Sequence, residues 1–156
     1  MEESQACRGD VQMVIGYEDG TSDVLEFRNA ILKKGREALA LSLANRIGSD
    51  FDFFVNRMLF GDGGTTGSAP KVVQPDRNGL FGTTRVSKPV VANIDVNNES
   101  QVIFTSVVAF GEGNGFNLNE MALQMQNGDL YSMATFPGIS KTQQMQLTFN
   151  WRISFL

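Results

Sequence analysis

The sequence predicts a mainly β protein, an antiparallel β-sandwich or jelly roll with one short α-helix and a long Gly/Pro-rich loop. Three observations carry that expectation. Near the C-terminus Met145, Leu147, Phe149, Trp151, Ile153 and Phe155 alternate with Gln144, Gln146, Thr148, Asn150, Arg152 and Ser154, the period of a strand with one buried face. Asn127-Gly128 and Asp19-Gly20 each separate two apolar segments, which is the strongest short-range signal for a β-hairpin. Only the stretch from Gly35 to Ile47 shows helical spacing, with Leu39, Leu43 and Ile47 on one stripe.

The 156 residues suffice for one domain. Residues 1–10 read as a polar N-terminal arm and residues 11–156 as the sandwich. Val11 to Tyr17 and Asp23 to Phe27 are the first hairpin, joined by a two-residue turn at Asp19-Gly20. The helix follows, with Gly48 as its C-terminal cap and Arg46 in its last turn, and is expected to plug an open end or edge of the sheets. After the aromatic stretch Phe51 to Phe60, periodicity stops at Gly61-Asp62-Gly63-Gly64. A long loop runs from there through Pro70 and Pro75 to about Asn78, and loops of that length usually carry function or make contacts.

Arg85 to Asp95 and Gln101 to Phe110 read as two strands around a polar turn. Asn119 to Gln126 and Asp129 to Phe136 read as a hairpin in which Asn127 and Gly128 are the central turn residues and Met125 pairs with Leu130. That register puts Met121, Leu123 and Met125 on one buried face with Leu130, Ala134 and Phe136, with Ser132 as a polar intruder. Asn127, Gly128, Phe136, Phe149, Trp151 and Phe155 are therefore the residues expected to define the fold.

Composition narrows the function. With no histidine in the chain, Ser-His-Asp, Cys-His and His-containing zinc arrangements are impossible. The net charge of −4 and the absence of a basic cluster larger than Lys33-Lys34 argue against nucleic acid. No apolar run approaches the roughly 20 residues of a membrane helix, and the acidic start Met1-Glu2-Glu3-Ser4 is unlike a signal peptide, so a soluble product of the cytoplasm is expected. The single cysteine, Cys7, cannot form an intrachain disulfide and is read as a thiol in the arm, open to an intersubunit bond.

The loop Gly61-Asp62-Gly63-Gly64-Thr65-Thr66 lacks the third glycine of G-x-G-x-x-G and a following Gly-Lys-Ser/Thr, so it is read as a turn and not a phosphate cradle. Asp50, Asp52 and Asp62 match no calcium loop. Glu120 beside the strand Met121-Leu123-Met125 reads as a hydrogen-bonded structural acid more readily than a catalytic one. Arg8-Gly9-Asp10 is taken as a chance tripeptide, and the methionines near the last hairpin suit either core filling or a subunit interface. No catalytic residue, cofactor or metal is expected.

The segments Leu118-Asn119-Glu120-Met121-Ala122-Leu123, Asn127-Gly128-Asp129-Leu130-Tyr131, Thr135-Phe136-Pro137-Gly138-Ile139-Ser140-Lys141-Thr142 and Leu147-Thr148-Phe149-Asn150-Trp151-Arg152-Ile153-Ser154-Phe155 resemble a recurring pattern in small virion structural proteins of tailed bacteriophages. Asn56-Arg57-Met58-Leu59-Phe60-Gly61-Asp62-Gly63-Gly64 and Asn78-Gly79-Leu80-Phe81-Gly82 extend the resemblance over roughly residues 24–156. It implies a non-enzymatic virion component, made in the host cytoplasm, whose partners are major capsid or tail proteins. Because no fibre shaft or heptad register is present, a capsid decoration or cement subunit is the leading expectation. The alternative is a tail, baseplate or fibre-adaptor protein, including one that recognises a receptor carbohydrate through Tyr17, Tyr131 or Trp151. A homo-oligomer, with a trimer favoured, is expected from the symmetry of such assemblies. Cys7, Arg8 and Asp10 of the arm, with Gly61, Asp62, Gly63, Gly64, Pro70, Pro75 and Asn78 of the loop, are the candidate subunit contacts.

Overall fold

The computed structural model describes residues 7–44 and 53–155. The chain runs β1 (Cys7–Tyr17), β2 (Ser22–Arg28), β3 (Ala30–Ile31), α1 (Lys33–Leu43), β4 (Val55–Gly61), β5 (Thr65–Thr66) and β6 (Ala69–Pro70). It continues through β7 (Thr84–Pro89), β8 (Val91–Asp95), β9 (Asn98–Val108), β10 (Asn117–Met125), β11 (Leu130–Ser140) and β12 (Met145–Phe155). Two five-stranded antiparallel sheets, β2-β1-β12-β9-β8 and β3-β11-β10-β4-β7, face each other, and β5-β6 forms a small separate hairpin. The β-sandwich expected from the sequence is the fold observed.

The alternating C-terminal strand lies at the middle of the first sheet. All eleven residues of β12 pair with β1, from Cys7 opposite Phe155 to Tyr17 opposite Met145, and β9 flanks the other side. Its inward residues Leu147, Phe149, Trp151 and Ile153 are buried against Met13, Phe60, Met121 and Phe136 of the common core. Phe136 stacks on Phe27 at 5.0 Å between centroids. Phe155, expected in the core, is instead 41% exposed, at the wall of the open apolar cleft at that end of the strand.

Pairing also changes the reading of the N-terminal arm. Residues 7–10 continue β1 and pair with β12, and Asp10 also pairs with Arg28 of β2, since the backbone groups of a strand as long as β12 need partners along their whole length. Residues 1–6 lie outside the described residues, as do Gly48, Arg46 and Ile47 of the expected helix end.

Both hairpin turns are one residue longer than expected. Tyr17 N–H bonds Thr21 O and Gly20 N–H bonds Tyr17 O; Met125 N–H bonds Asp129 O and Gly128 N–H bonds Met125 O. In each the glycine alone takes the left-handed conformation, at φ 86° for Gly20 and 93° for Gly128. This is the three-residue loop in which a tight turn is followed by a left-handed glycine. Met125 therefore stands opposite Asp129, Gln124 pairs with Leu130, and Tyr131 is the extra residue of a bulge before Ser132 pairs with Leu123. The bulge turns Leu130 and Met133 to the outer face of the second sheet while Tyr131, Ala134 and Phe136 stay in the core. The single face expected for Leu130, Ala134 and Phe136 is thus split in two.

The span Arg85 to Asp95 is likewise two strands. β7 belongs to the second sheet and β8 to the first, and the chain crosses between them at Pro89-Val90, where proline has no N–H to continue a ladder. Asn29 marks the corresponding crossing from β2 to β3 on the opposite side.

Helix α1 lies against β11 on a face centred on its small residues, with Leu39 of the expected stripe packed at its border. Gly35 and Ala38 are buried, and a Cβ at position 35 would collide with the Tyr131 carbonyl, while Leu43 is 91% exposed. Close backbone approach, which only glycine permits, decides the contact face.

Candidate functional site

The second sheet is buried on both sides, and the cause is the glycine-rich loop. Residues from Gly61 to Thr83 fold back as a flap over its outer face, where Val73, Leu80 and Phe81 pack on Leu32, Ala122, Leu130 and Met133. Successive strand residues ordinarily point to opposite faces. Between Leu118 and Glu120, however, the β10–β11 register breaks opposite Phe136-Pro137-Gly138, so the adjacent Asn119 and Glu120 both reach the flap.

Glu120 is fully buried, and its carboxylate is consumed by backbone donors. Oε1 accepts from Gly63 N–H at 3.0 Å and Gly82 N–H at 2.8 Å, and Oε2 accepts from Phe81 N–H at 2.7 Å. Asn119 Oδ1 accepts from Gly64 N–H at 2.7 Å, and its amide donates to Thr65 Oγ1 at 3.2 Å. Side chains at 63 and 64 would strike Gly82 and the Asn119 carbonyl, which explains the glycines there. Asp62 closes the flap's base: it accepts from Thr83 N–H at 3.1 Å and pairs with Arg85 at 2.7 Å, and the Arg85 bond holds its carboxyl below the usual range.

The rest of the flap is held as firmly. The Arg77 guanidinium sits 3.7 Å from the Phe81 ring centroid and donates to the Gly79 and Leu80 carbonyls. Thr135 Oγ1 donates to Lys71 O at 2.6 Å, and Pro75 O accepts from Lys33 N–H at 2.6 Å at the start of α1. The open contact loop expected at Gly61, Asp62, Gly63 and Gly64 is therefore a packed flap, pinned by buried acceptors that a local pattern does not reveal. Pro70 and Asn78 are exposed on it.

A second anchor lies at the other loop. Lys141 is buried, with Nζ donating to Phe110 O at 3.2 Å, Asn114 Oδ1 at 2.9 Å and Thr142 O at 2.9 Å, and burial lowers its pKa. The same loop carries Glu112, whose carboxylate meets Lys88 at 2.8 Å. Sequence reasoning singled out neither Lys141 as an anchor nor Asn119 as its counterpart. Their only signal was their place in the Asn-Glu and Lys-Thr motifs.

The remaining candidates are structural or peripheral. Arg8-Gly9-Asp10 is extended β-strand; Gly9 backs onto Asn29, and Arg8 pairs with Asp10 at 3.0 Å. Arg8 and Asp10 border an open groove with Arg28 and Arg152 on the outer face of the first sheet. Cys7 is half-buried, 3.8 Å from Tyr131 Oη, and burial raises its pKa. Trp151 and Tyr131 are buried, and Tyr17 Oη is bonded to Asp23 at 2.8 Å, so neither buried ring offers a sugar a stacking surface. Among the described residues, no three His, Cys, Asp or Glu side chains converge as a metal cage. At one end of the sandwich an apolar cleft of about 340 Å³ opens between α1, the start of β4 and the inner face of β8, β9 and β12.

Among the described residues the two fully buried charged side chains, Glu120 and Lys141, both hold loops. The arrangement is a β-sandwich with two of its loops fixed by buried charges. The description phage tail-collar fibre protein, N-terminal, matches residues 25–154, and the chain belongs to that family. It is accordingly a structural component of the virion of a tailed bacteriophage, on the side of tail and fibre. The capsid decoration or cement reading gains no support, and the tail alternative takes its place. The absence of a repetitive shaft had pointed away from fibres, but the family describes an N-terminal fibre region and needs no shaft within it. No curated protein and no solved structure matches the chain, and no helix among the described residues is long and apolar enough to cross a membrane.

Proposed function

We propose that this domain is a non-enzymatic mounting module, which fixes a fibre to the tail of the particle by protein–protein contacts. The observation that carries this reading, beside the family, is the state of Glu120. A fully buried carboxylate that accepts three backbone N–H bonds is committed to holding the flap and is closed off from solvent, and it supports a rigid surface. Preformed surfaces bind with less ordering cost than mobile loops. The exposed flap positions Pro70 and Asn78 are contacts in this reading, and assembly as a closed homo-oligomer, a trimer first, belongs to it as well.

Cryo-electron microscopy of particles carrying a tagged copy of the chain tests the proposal. Density for the tag at the tail, where fibres attach, is the expected result. Density distributed over the capsid lattice would overturn it.

A further inference from the structure

The four edges of the two large sheets are not protected alike. An open edge presents unpaired N–H and C=O groups, and proteins blunt it by shortness, charge or proline. β3 has two residues, β7 carries Lys88 and ends at Pro89, and β2 carries Asp23, Glu26 and Arg28. β8, Val91-Ala92-Asn93-Ile94-Asp95, has no charge before its last residue and is exposed throughout, Val91 at 63% and Ile94 at 65%. It pairs with β9 on one side and with nothing described on the other.

This edge borders the apolar end cleft. Ala92 stands opposite Phe104 and Ile94 opposite Val102, and Ala92, Val102 and Phe104 line the cleft. The cleft-facing side of a strand added beside β8 would therefore point its alternate residues at the cleft. Phe54 and Phe155, also in the lining, are 60% and 41% exposed.

We propose that β8 is a docking edge for an extended segment of a different tail polypeptide, which joins the first sheet as a sixth strand and seats alternate large aliphatic side chains in the cleft. The proposal rests on the tail reading above and names the surface through which the mounting is made. Main-chain pairing supplies affinity in such strand addition, and the side-chain pocket supplies specificity. A second copy of β8 suits the cleft less well, because its cleft-facing side offers one large residue, Ile94, to a space of about 340 Å³. Charge specifies the partner further. Exposed Asp95 and Glu99 flank the β8–β9 turn, and neither β8 nor β9 contains Lys or Arg, so the docking segment carries a basic residue where it passes that turn.

Backbone hydrogen exchange of the free chain and of the same chain in isolated tails tests this. Amides of residues 91–95 on the open side are expected to exchange freely in the free chain and about a hundredfold more slowly in tails. Ile94→Lys, checked for native circular dichroism, is expected to lower the chain's copy number on tails about tenfold. Val24→Lys on the edge strand β2, at a site 57% exposed, is expected to leave it unchanged. Chain present on tails with unprotected β8 amides overturns the docking edge alone. Protection already present in the free chain also overturns it, in favour of a second copy. Absence of the chain from tails overturns the tail reading together with it.

Discussion

Glu120 accepts a hydrogen bond from the backbone N–H of Phe81 at 2.7 Å, joining the middle of β10 to a flap 39 residues away in sequence. This bond, with the two from Gly63 and Gly82, turns the long connection from β4 to β7 into a fixed part of the sandwich.

Removing the carboxylate should release the flap. Glu120→Ala deletes the charged acceptor of three backbone N–H groups, and hydrogen bonds to a charged group are worth about 1.5–3 kcal/mol each, so a loss of roughly 4 kcal/mol is expected in urea unfolding. Glu120→Gln keeps one acceptor oxygen and should lose about 2 kcal/mol. Limited proteolysis should cut within residues 62–83 of the alanine variant before any other segment. A variant as stable and as resistant as the parent would show that the clamp is not needed.

The Lys141 anchor makes a parallel prediction at residues 110–115. Lys141→Met removes the donor that serves Phe110 O, Asn114 Oδ1 and Thr142 O, and should cost roughly 3 kcal/mol. Its proton-exchange signature should be confined to that loop, leaving the flap protected. Exchange spread evenly over both loops would contradict the assignment of separate anchors.

Acid should destabilise the fold through Asp62 and Glu112. Both carboxyls are held below their ordinary values of 3.8 and 4.5, by Arg85 and Lys88 respectively. The folded chain thus binds fewer protons than the unfolded chain in that range, and stability falls as pH drops through it. Thermal unfolding midpoints should be level above about pH 5.5 and decline below it. Asp62→Asn combined with Glu112→Gln should flatten the decline, and an unchanged slope would assign it to other acids.

Trp151 is fully buried, yet its Nε1 has no hydrogen-bond partner. Trp151→Phe loses apolar contact but also removes an unsatisfied donor, so its cost should stay near 1–2 kcal/mol. Trp151→Ala opens a large cavity and should cost about 4–5 kcal/mol, enough to unfold a marginal domain. Equal losses for the two would mean that the donor is satisfied in solution.

The alternation from Met145 to Phe155 and the glycine turns made the sandwich legible in advance, because both are local. A strand with one buried face writes its period into the chain, and a left-handed turn residue must be glycine wherever the φ of Gly20 and Gly128 is needed. The anchors were not legible in the same way. Nothing around Asn119, Glu120 or Lys141 distinguishes a clamp from a surface polar residue until the partner loop, dozens of positions away, is laid over it. The contact face of α1 was only partly legible for a related reason: Leu39 packs on the core but Leu43 does not, because the approach of Gly35 to Tyr131 is set by the neighbouring strand.

What the sequence by itself determined is the class of fold, the position of its central strand and the exclusion of histidine chemistry, since each depends on residue type and short-range period. Only the tertiary structure decided that the glycine-rich loop is a locked flap, that residues 7–10 complete a strand, and that β8 is left as an open edge. Those outcomes depend on register and on which backbone groups find partners across the fold. Hydrogen bonding between distant segments leaves little trace in either segment alone.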